Sequence, residues 1–206
     1  MGWHVHGYDY FQPLVDFWQM AISDASTLAD AVMKYLPLDK QMFHSQQKIR
    51  FKTKLERAAA FFVVNRASFS GASLSGGMSL GHERFTLSCI ERLRRFSAPS
   101  LTVERSDFRK SISNHPNDLL FLDPPYVTAS HLYGRRGHLH QGFDHQALAD
   151  LLHCRNRWLL CYDDCAEVRT MYRNYRIIPL SWKYGMSSDK RSRELLIFSH
   201  DMAAGS

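Results

Sequence analysis

At 206 residues, with 45% hydrophobic and 22% charged content, the chain has the size and proportions of one large soluble domain, or of one domain with an insertion, around a real core. No apolar run approaches a membrane span, and there is no internal repeat, low-complexity segment or linker. The 26 Lys and Arg against 20 Asp and Glu give a net charge of +6, which favours a polyanionic partner.

Cys89, Cys154, Cys161 and Cys165 show no paired-ligand spacing and come with no signal peptide, so they read as reduced thiols in a reducing compartment. No metal site follows from them. His131, His138, His140 and His145 cluster around a loop, but no cysteine or acidic ligand completes a zinc set, and they read as polar loop residues.

In chain order, Trp3 to Tyr8 alternates like a strand that ends at Asp9, and Pro13 opens a helical pattern with Leu14, Phe17, Trp18 and Ile22 on one face. Residues 24 to 36 predict a short amphipathic helix with Leu28, Ala31, Val32 and Tyr35 inward, closed by Pro37. A longer helix is expected over 46 to 66. Its first half carries Lys48, Arg50, Lys52, Lys54 and Arg57, and its second half, Ala58 to Val64, is nearly all apolar. Such a helix could dock a phosphate backbone, and a solvated charged face explains the run equally well.

Asn65, Arg66, Phe69 and Ser70 then lead into a Gly/Ser-rich loop that runs to Gly81. A helix is expected from about His82 to Phe96, basic through Arg84, Arg92, Arg94 and Arg95, and broken at Ser97-Ala98-Pro99. Leu101 to Glu104 alternates as a strand. Asp107-Phe108 follows at its carboxyl end before a short helix, where Ser106 and Asp107 are both good capping residues.

The chain is organised around Leu119-Leu120-Phe121-Leu122-Asp123-Pro124-Pro125-Tyr126. The apolar run has the length of a fully buried strand, and two prolines that cannot donate to a ladder end its pairing at Asp123. The result is a stiff loop at the carboxyl end of a strand, where open α/β sheets bind ligands. There the Asp123 carboxylate and the Pro124 carbonyl can converge on one amino group, with Tyr126 as a flat stacking surface. That combination suits a planar amine such as the exocyclic amine of a nucleobase.

A polar loop from Val127 to Gly142, containing Arg135 and Arg136, precedes a renewed β/α alternation. A helix from Asp144 to Leu152, a strand from Arg157 to Tyr162, a helix from Asp164 to Tyr172 and a strand from Tyr175 to Leu180 are expected in turn. A loop with Lys183, Lys190, Arg191 and Arg193 leads to a last strand, Glu194 to Phe198, and so short a return implies an antiparallel partner.

With Asp123-Pro124-Pro125-Tyr126 as its hallmark, the chain resembles the Dam-type DNA adenine-N6 methyltransferases over about Val5 to Phe198. The resemblance implies a Rossmann-like sheet that uses S-adenosylmethionine, finished by an antiparallel hairpin, with its first strand absent. Residues 1–23 and 99–206 would form the catalytic domain and 24–98 a helical target-recognition insert. Asp9 would hold the cofactor's ribose, and Asp107 and Phe108 its adenine. Asp123, Pro124, Pro125 and Tyr126 would act on an adenine flipped out of double-stranded DNA. Phe69 matches an aromatic that wedges against bases, beside Asn65, Arg66 and Ser70, while Arg135, Arg136, Lys190 and Arg191 would contact DNA.

Two features depart from the family. Ser70 stands where an Asn is expected, and nothing upstream of Asp9 matches the lysine-bearing segment and the strand ending in Phe-x-Gly-x-Gly. The loop from Gly71 to Gly77 lies in the wrong place to substitute. The resemblance therefore leaves room for a missing N-terminal segment or a partner chain that completes the cofactor site, or for a truncated, inactive nucleic-acid-binding protein. Cytosine-N4 enzymes more often carry Ser in place of Asp123, and protein glutamine enzymes Asn, so Asp123 favours adenine. The cytoplasm of a bacterium, or a phage or mobile-element context, is the implied setting.

Overall fold

Proline placement, capping residues and apolar periodicity set the elements of this mixed α/β chain, seen here in a computed structural model. The structure describes residues 2–48, 53–68, 77–78, 84–128, 142–183 and 191–203. They fall into two compact units, the first taking the described residues up to Asp107 and the second those from Phe108 onward. No helix among them is long and apolar enough to cross a membrane.

In the first unit β1 (Val5–Asp9) pairs in parallel with β2 (Leu101–Arg105), with Asp9 opposite Arg105. Pro13 lies in the first turn of α1 (Gln12–Met33), where its missing N–H costs nothing. The helix breaks at Asp24 (φ −157°, ψ 76°), whose carboxylate accepts from Thr27 N at 2.9 Å. The second helix thus begins at the expected residue and ends at Met33, short of Tyr35. Leu28, Ala29 and Val32 bury their face against Ala58, Val63 and Val64 of α3 (Lys54–Ala67) and Ile90 of α4 (Leu87–Arg94).

Two helix boundaries differ from the sequence expectation. The single helix over 46–66 is instead α2 (Lys40–Lys48) and α3, because Thr53 starts α3 with a capping box. Its Oγ1 accepts from Glu56 N at 3.1 Å, and the Glu56 carboxylate accepts from Thr53 N at 2.9 Å. Likewise α4 starts at Leu87 rather than His82, since Thr86 Oγ1 accepts from Cys89 N at 3.3 Å. Two of the expected basic residues are committed elsewhere. Arg57 pairs with Asp16 (Nε to Oδ2, 2.5 Å), which is 2% exposed, and Arg94 pairs with Asp30 at 2.8 Å. Arg57 is thereby an internal structural cation and not a free phosphate ligand.

The second unit runs α5 (Phe108–Asn114), β3 (Leu120–Leu122), α6 (His145–His153), β4 (Trp158–Asp163), α7 (Ala166–Met171), β5 (Arg176–Lys183), β6 (Arg191–Phe198) and α8 (His200–Ala203). The sheet order is β3-β4-β6-β5: β3 and β4 are parallel, and β6 runs antiparallel to both neighbours. The expected C-terminal hairpin is present, and its last strand inserts between β4 and β5. Trp158, Leu160 and Tyr162 of β4 are fully buried with Leu148 and Leu152 of α6 and Leu195 and Ile197 of β6. Each such side chain contributes roughly 1.5–3 kcal/mol. The Trp158 indole N–H donates to the carbonyls of Leu152 (3.0 Å) and Arg155 (3.1 Å), so the ring is buried without an orphaned donor.

β3 corrects an expectation. It is buried on one face only: Leu120 and Leu122 pack against the core, while Phe121 is 66% exposed. An uninterrupted apolar run reads as doubly covered, but alternation sends Phe121 to the face opposite the core.

Candidate active site

β3 stops at Leu122, and Asp123-Pro124-Pro125-Tyr126 leaves its carboxyl end with no regular structure. The side chain of Asp123 reaches solvent. Protein on its other side strips part of its hydration and, secondarily, the Glu194 carboxylate repels its charge, so its pKa is raised above the ordinary carboxylate value. Tyr126 is half-buried, its ring 6.4 Å from that of Tyr162. Its hydroxyl donates to Glu194, and burial first, then the charges of Asp123 and Glu194, push its pKa far up, so it stays neutral. The Cys161 thiol is raised by the same causes.

Two acids not foreseen as site residues therefore border the loop. Glu194 on β6 is 7% exposed, and Asp163 at the end of β4 is 6% exposed. They face each other in the antiparallel register. Asp163 Oδ1 accepts from Val127 N (3.0 Å), while its Oδ2 accepts from Thr128 N (2.9 Å) and Thr128 Oγ1 (2.6 Å). The sequence signal was there for Asp163, since it ends an apolar strand as Asp123 does. Nothing local marked Glu194. Close by, the imidazole of His145 meets the Tyr162 hydroxyl, and burial depresses the pKa of this histidine.

The concentration of carboxylates gives the loop a negative potential. It can accept hydrogens from an amino group and stabilise positive charge that develops on that nitrogen. Beside it the Cys161 thiol is held protonated and the tyrosine neutral.

The first unit carries the two acids expected to hold the cofactor. Asp9 ends β1 and Asp107 follows β2, and the two strand ends are joined by Ser106 N donating to Asp9 O at 3.1 Å. Asp9 Oδ1 accepts from Phe11 N at 2.6 Å. Burial raises the Asp9 pKa against the lowering effect of the Phe11 and Tyr10 N–H groups. A carboxylate has about four acceptor positions, so Asp9 keeps capacity for a hydroxyl while it turns the chain into α1. A desolvated acceptor at the carboxyl end of one of two parallel strands, beside a second acid, fits a ribose and its base. Phe108, which opens α5, has the Arg109 guanidinium 4.5 Å from its ring centre and packs on Phe143 at 4.9 Å.

Of the residues expected to meet DNA, Asn65 and Arg66 lie in the last turn of α3. Arg66 Nε donates to the Arg84 carbonyl at 3.1 Å, and the Arg84 guanidinium donates to the Ser68 carbonyl. These bonds fasten the end of α3. Arg191 opens β6 opposite Lys183. Phe69, Ser70, Arg135, Arg136 and Lys190 lie outside the described residues, as do His131, His138 and His140.

No curated protein matches the chain. The family model of the D12 class N6 adenine-specific DNA methyltransferases does match, over residues 3–186. That span includes both acids of the parallel strand pair and the whole of the Asp123 to Tyr126 loop. The chain, with its carboxylate at the end of β3, thus belongs to the D12 class of N6 adenine-specific DNA methyltransferases.

Proposed function

We propose that the chain transfers a methyl group from S-adenosylmethionine to the N6 amino group of an adenine extruded from a specific site in DNA. The observation that carries this reading is the Asp123-Pro124-Pro125-Tyr126 loop at the carboxyl end of β3, with its raised carboxylate and neutral tyrosine.

The N6 nitrogen is a poor nucleophile because its lone pair is delocalised into the ring. Asp123 and the Pro124 carbonyl accept its two hydrogens, which draws the nitrogen toward a tetrahedral shape and frees the lone pair. Tyr126 stacks on the extruded base, and Pro125 keeps the loop stiff. Asp123 stabilises the positive charge that grows on the nitrogen and takes up the proton that becomes acidic. Asp9 would hold the ribose of S-adenosylmethionine, and Asp107 and Phe108 its adenine. When bound, that cofactor supplies a methyl group on a positively charged sulfur. The helical segment 24–98 would form the target-recognition lobe of a Rossmann-like catalytic domain, with Asn65, Arg66, Phe69 and Ser70 as its DNA-contacting residues. Arg135, Arg136, Lys190 and Arg191 would grip phosphates.

A second reading adds a partner. Trp3 (83%) and Val5 (54%) beside β2's partner strand, and Leu119 (53%) and Phe121 (66%) at β3, are large apolar side chains left exposed. Among the described residues β1 pairs only with β2, and β3 only with β4. Strands with open edges and exposed apolar side chains accept an added strand. An apolar extended segment, from a partner chain or from sequence preceding this one, would add to such an edge and complete the cofactor site.

One experiment tests both readings: transfer of labelled methyl from S-adenosylmethionine to unmethylated DNA, by the chain alone and with a peptide supplying the family's glycine-rich strand. Transfer that Asp123→Ala abolishes, with its circular dichroism unchanged, supports the adenine reading. Transfer only with the peptide supports the second. Asp123→Ala working at the wild-type rate would sink the assignment of the site.

A further inference from the structure

The prolines that stiffen the Asp123 to Tyr126 loop also remove the N–H groups that would tie it to a ladder. Something outside the loop must fix its far end. The three residues that follow Pro125 are all held by the two buried acids on β4 and β6. The Tyr126 hydroxyl donates to Glu194. The Val127 N–H donates to Asp163 Oδ1 at 3.0 Å, and the Thr128 N–H and hydroxyl donate to Asp163 Oδ2 at 2.9 and 2.6 Å.

Placing like charges opposite each other in an antiparallel pair is unfavourable, more so when both are buried, as Asp163 (6% exposed) and Glu194 (7%) are. Core packing alone would select apolar residues at both positions, as it does at Cys161 opposite Leu196 and Leu160 opposite Ile197 in the same register. The acids are accounted for by donors of the segment that ends the loop: Asp163 collects the Val127 and Thr128 groups, and Glu194 the Tyr126 hydroxyl.

We propose that the register pair Asp163 and Glu194 is a positioning device for methyl transfer: it anchors residues 126–128 so that Asp123, the Pro124 carbonyl and the Tyr126 ring converge on the amino group. Asp163 is the main anchor and Glu194 sets the angle of Tyr126. Neither touches the reacting atoms. The proposal rests on the reading of the loop as the adenine site.

The anchor differs from a merely structural contact in what its loss changes. Grip on DNA lies with basic residues elsewhere, so a loosened loop lowers kcat and leaves KM for DNA nearly unchanged. Asp163→Asn keeps the shape but turns one oxygen into an amide NH2, which sets donor against donor at Val127 or Thr128. A displacement of about 1 Å at a reacting group costs on the order of 100-fold in rate.

The test measures methyl transfer to unmethylated genomic DNA by the wild-type chain, Asp163→Asn, Thr128→Val and Thr128→Ser. Amide exchange of the segment 123–128 is followed by mass spectrometry on the same proteins. In Asp163→Asn, kcat should fall on the order of 100-fold with KM for DNA within about 3-fold, and the segment should exchange faster. Thr128→Val should show a smaller fall in kcat, and Thr128→Ser, which restores the hydroxyl, should recover it. Unchanged exchange, an unchanged kcat, or a rise in KM with kcat intact overturns the positioning role. If Asp123→Ala is inactive beside a fully active Asp163→Asn, the positioning role falls and the adenine site stands. A wild-type chain that transfers no methyl to adenine, alone or with the glycine-rich peptide, overturns both.

Discussion

Replacing Arg57 with Met separates a structural cation from a DNA-binding one. In the folded chain Arg57 Nε lies 2.5 Å from Asp16 Oδ2, and Asp16 is 2% exposed while Arg57 is 31% exposed. Gln12 Nε2 donates to the other Asp16 oxygen at 2.9 Å. Removing the cation leaves a carboxylate inside the first unit with, among the described residues, one hydrogen bond and no counter-charge. Breaking a buried pair in this way costs about 3–5 kcal/mol. Water reaching the exposed part of Arg57 and the surviving Gln12 bond reduce this to about 2–3 kcal/mol. With a urea slope of about 1–3 kcal/mol per molar, the unfolding midpoint of the first unit should fall by about 1 M. Asp16→Asn added to Arg57→Met should recover part of the loss, because the two residues are coupled and no charge is then stranded. A midpoint within about 0.2 M of wild type, together with weaker DNA binding and a salt slope shallower by about 0.9, would refute the reasoning and return Arg57 to the phosphate backbone.

Two further outcomes follow from the same structure. Thr53→Ala removes the acceptor for Glu56 N at the start of α3 and should cost about 1 kcal/mol in urea unfolding, with Thr53→Ser close to neutral; equal losses in both would mean that the cap is not the cause. Asp123 must be ionised to accept the amino hydrogens, and its folded pKa is raised, first by desolvation and then by Glu194. The transfer rate should therefore fall as pH drops through a midpoint above the ordinary Asp value. Glu194→Gln should move that midpoint down but not fully back, since burial remains. The sign for stability is opposite: a raised carboxylate pKa favours the fold at low pH, and that contribution is lost as pH rises through the folded value. An acid limb that does not move in Glu194→Gln would show that the two carboxylates do not interact.

Much of this protein was determined by local sequence. Two prolines after an apolar run end a strand wherever it lies, so Asp123 was bound to stand at a strand's carboxyl end. The break at Asp24, the end of α4 ahead of Pro99, the helix that follows Asp107 and the antiparallel pairing of β5 with β6 are likewise consequences of capping, proline chemistry and loop length. The starts of α3 and α4 were legible too, in Thr53-x-x-Glu56 and Thr86, but hydrophobic periodicity runs through a cap without registering it. Tertiary structure alone decided the rest. Arg57 meets Asp16 across 41 positions of sequence, and so is an ion-pair partner although its neighbours spell a basic face. Phe121 is exposed because only one face of β3 is covered by its own core. Asp163 and Glu194 lie far apart in the chain, and only the insertion of β6 beside β4 sets them opposite each other beside the loop that follows β3. Strand register is a non-local property, and a one-residue slip of β6 would have turned Glu194 to the other face of the sheet.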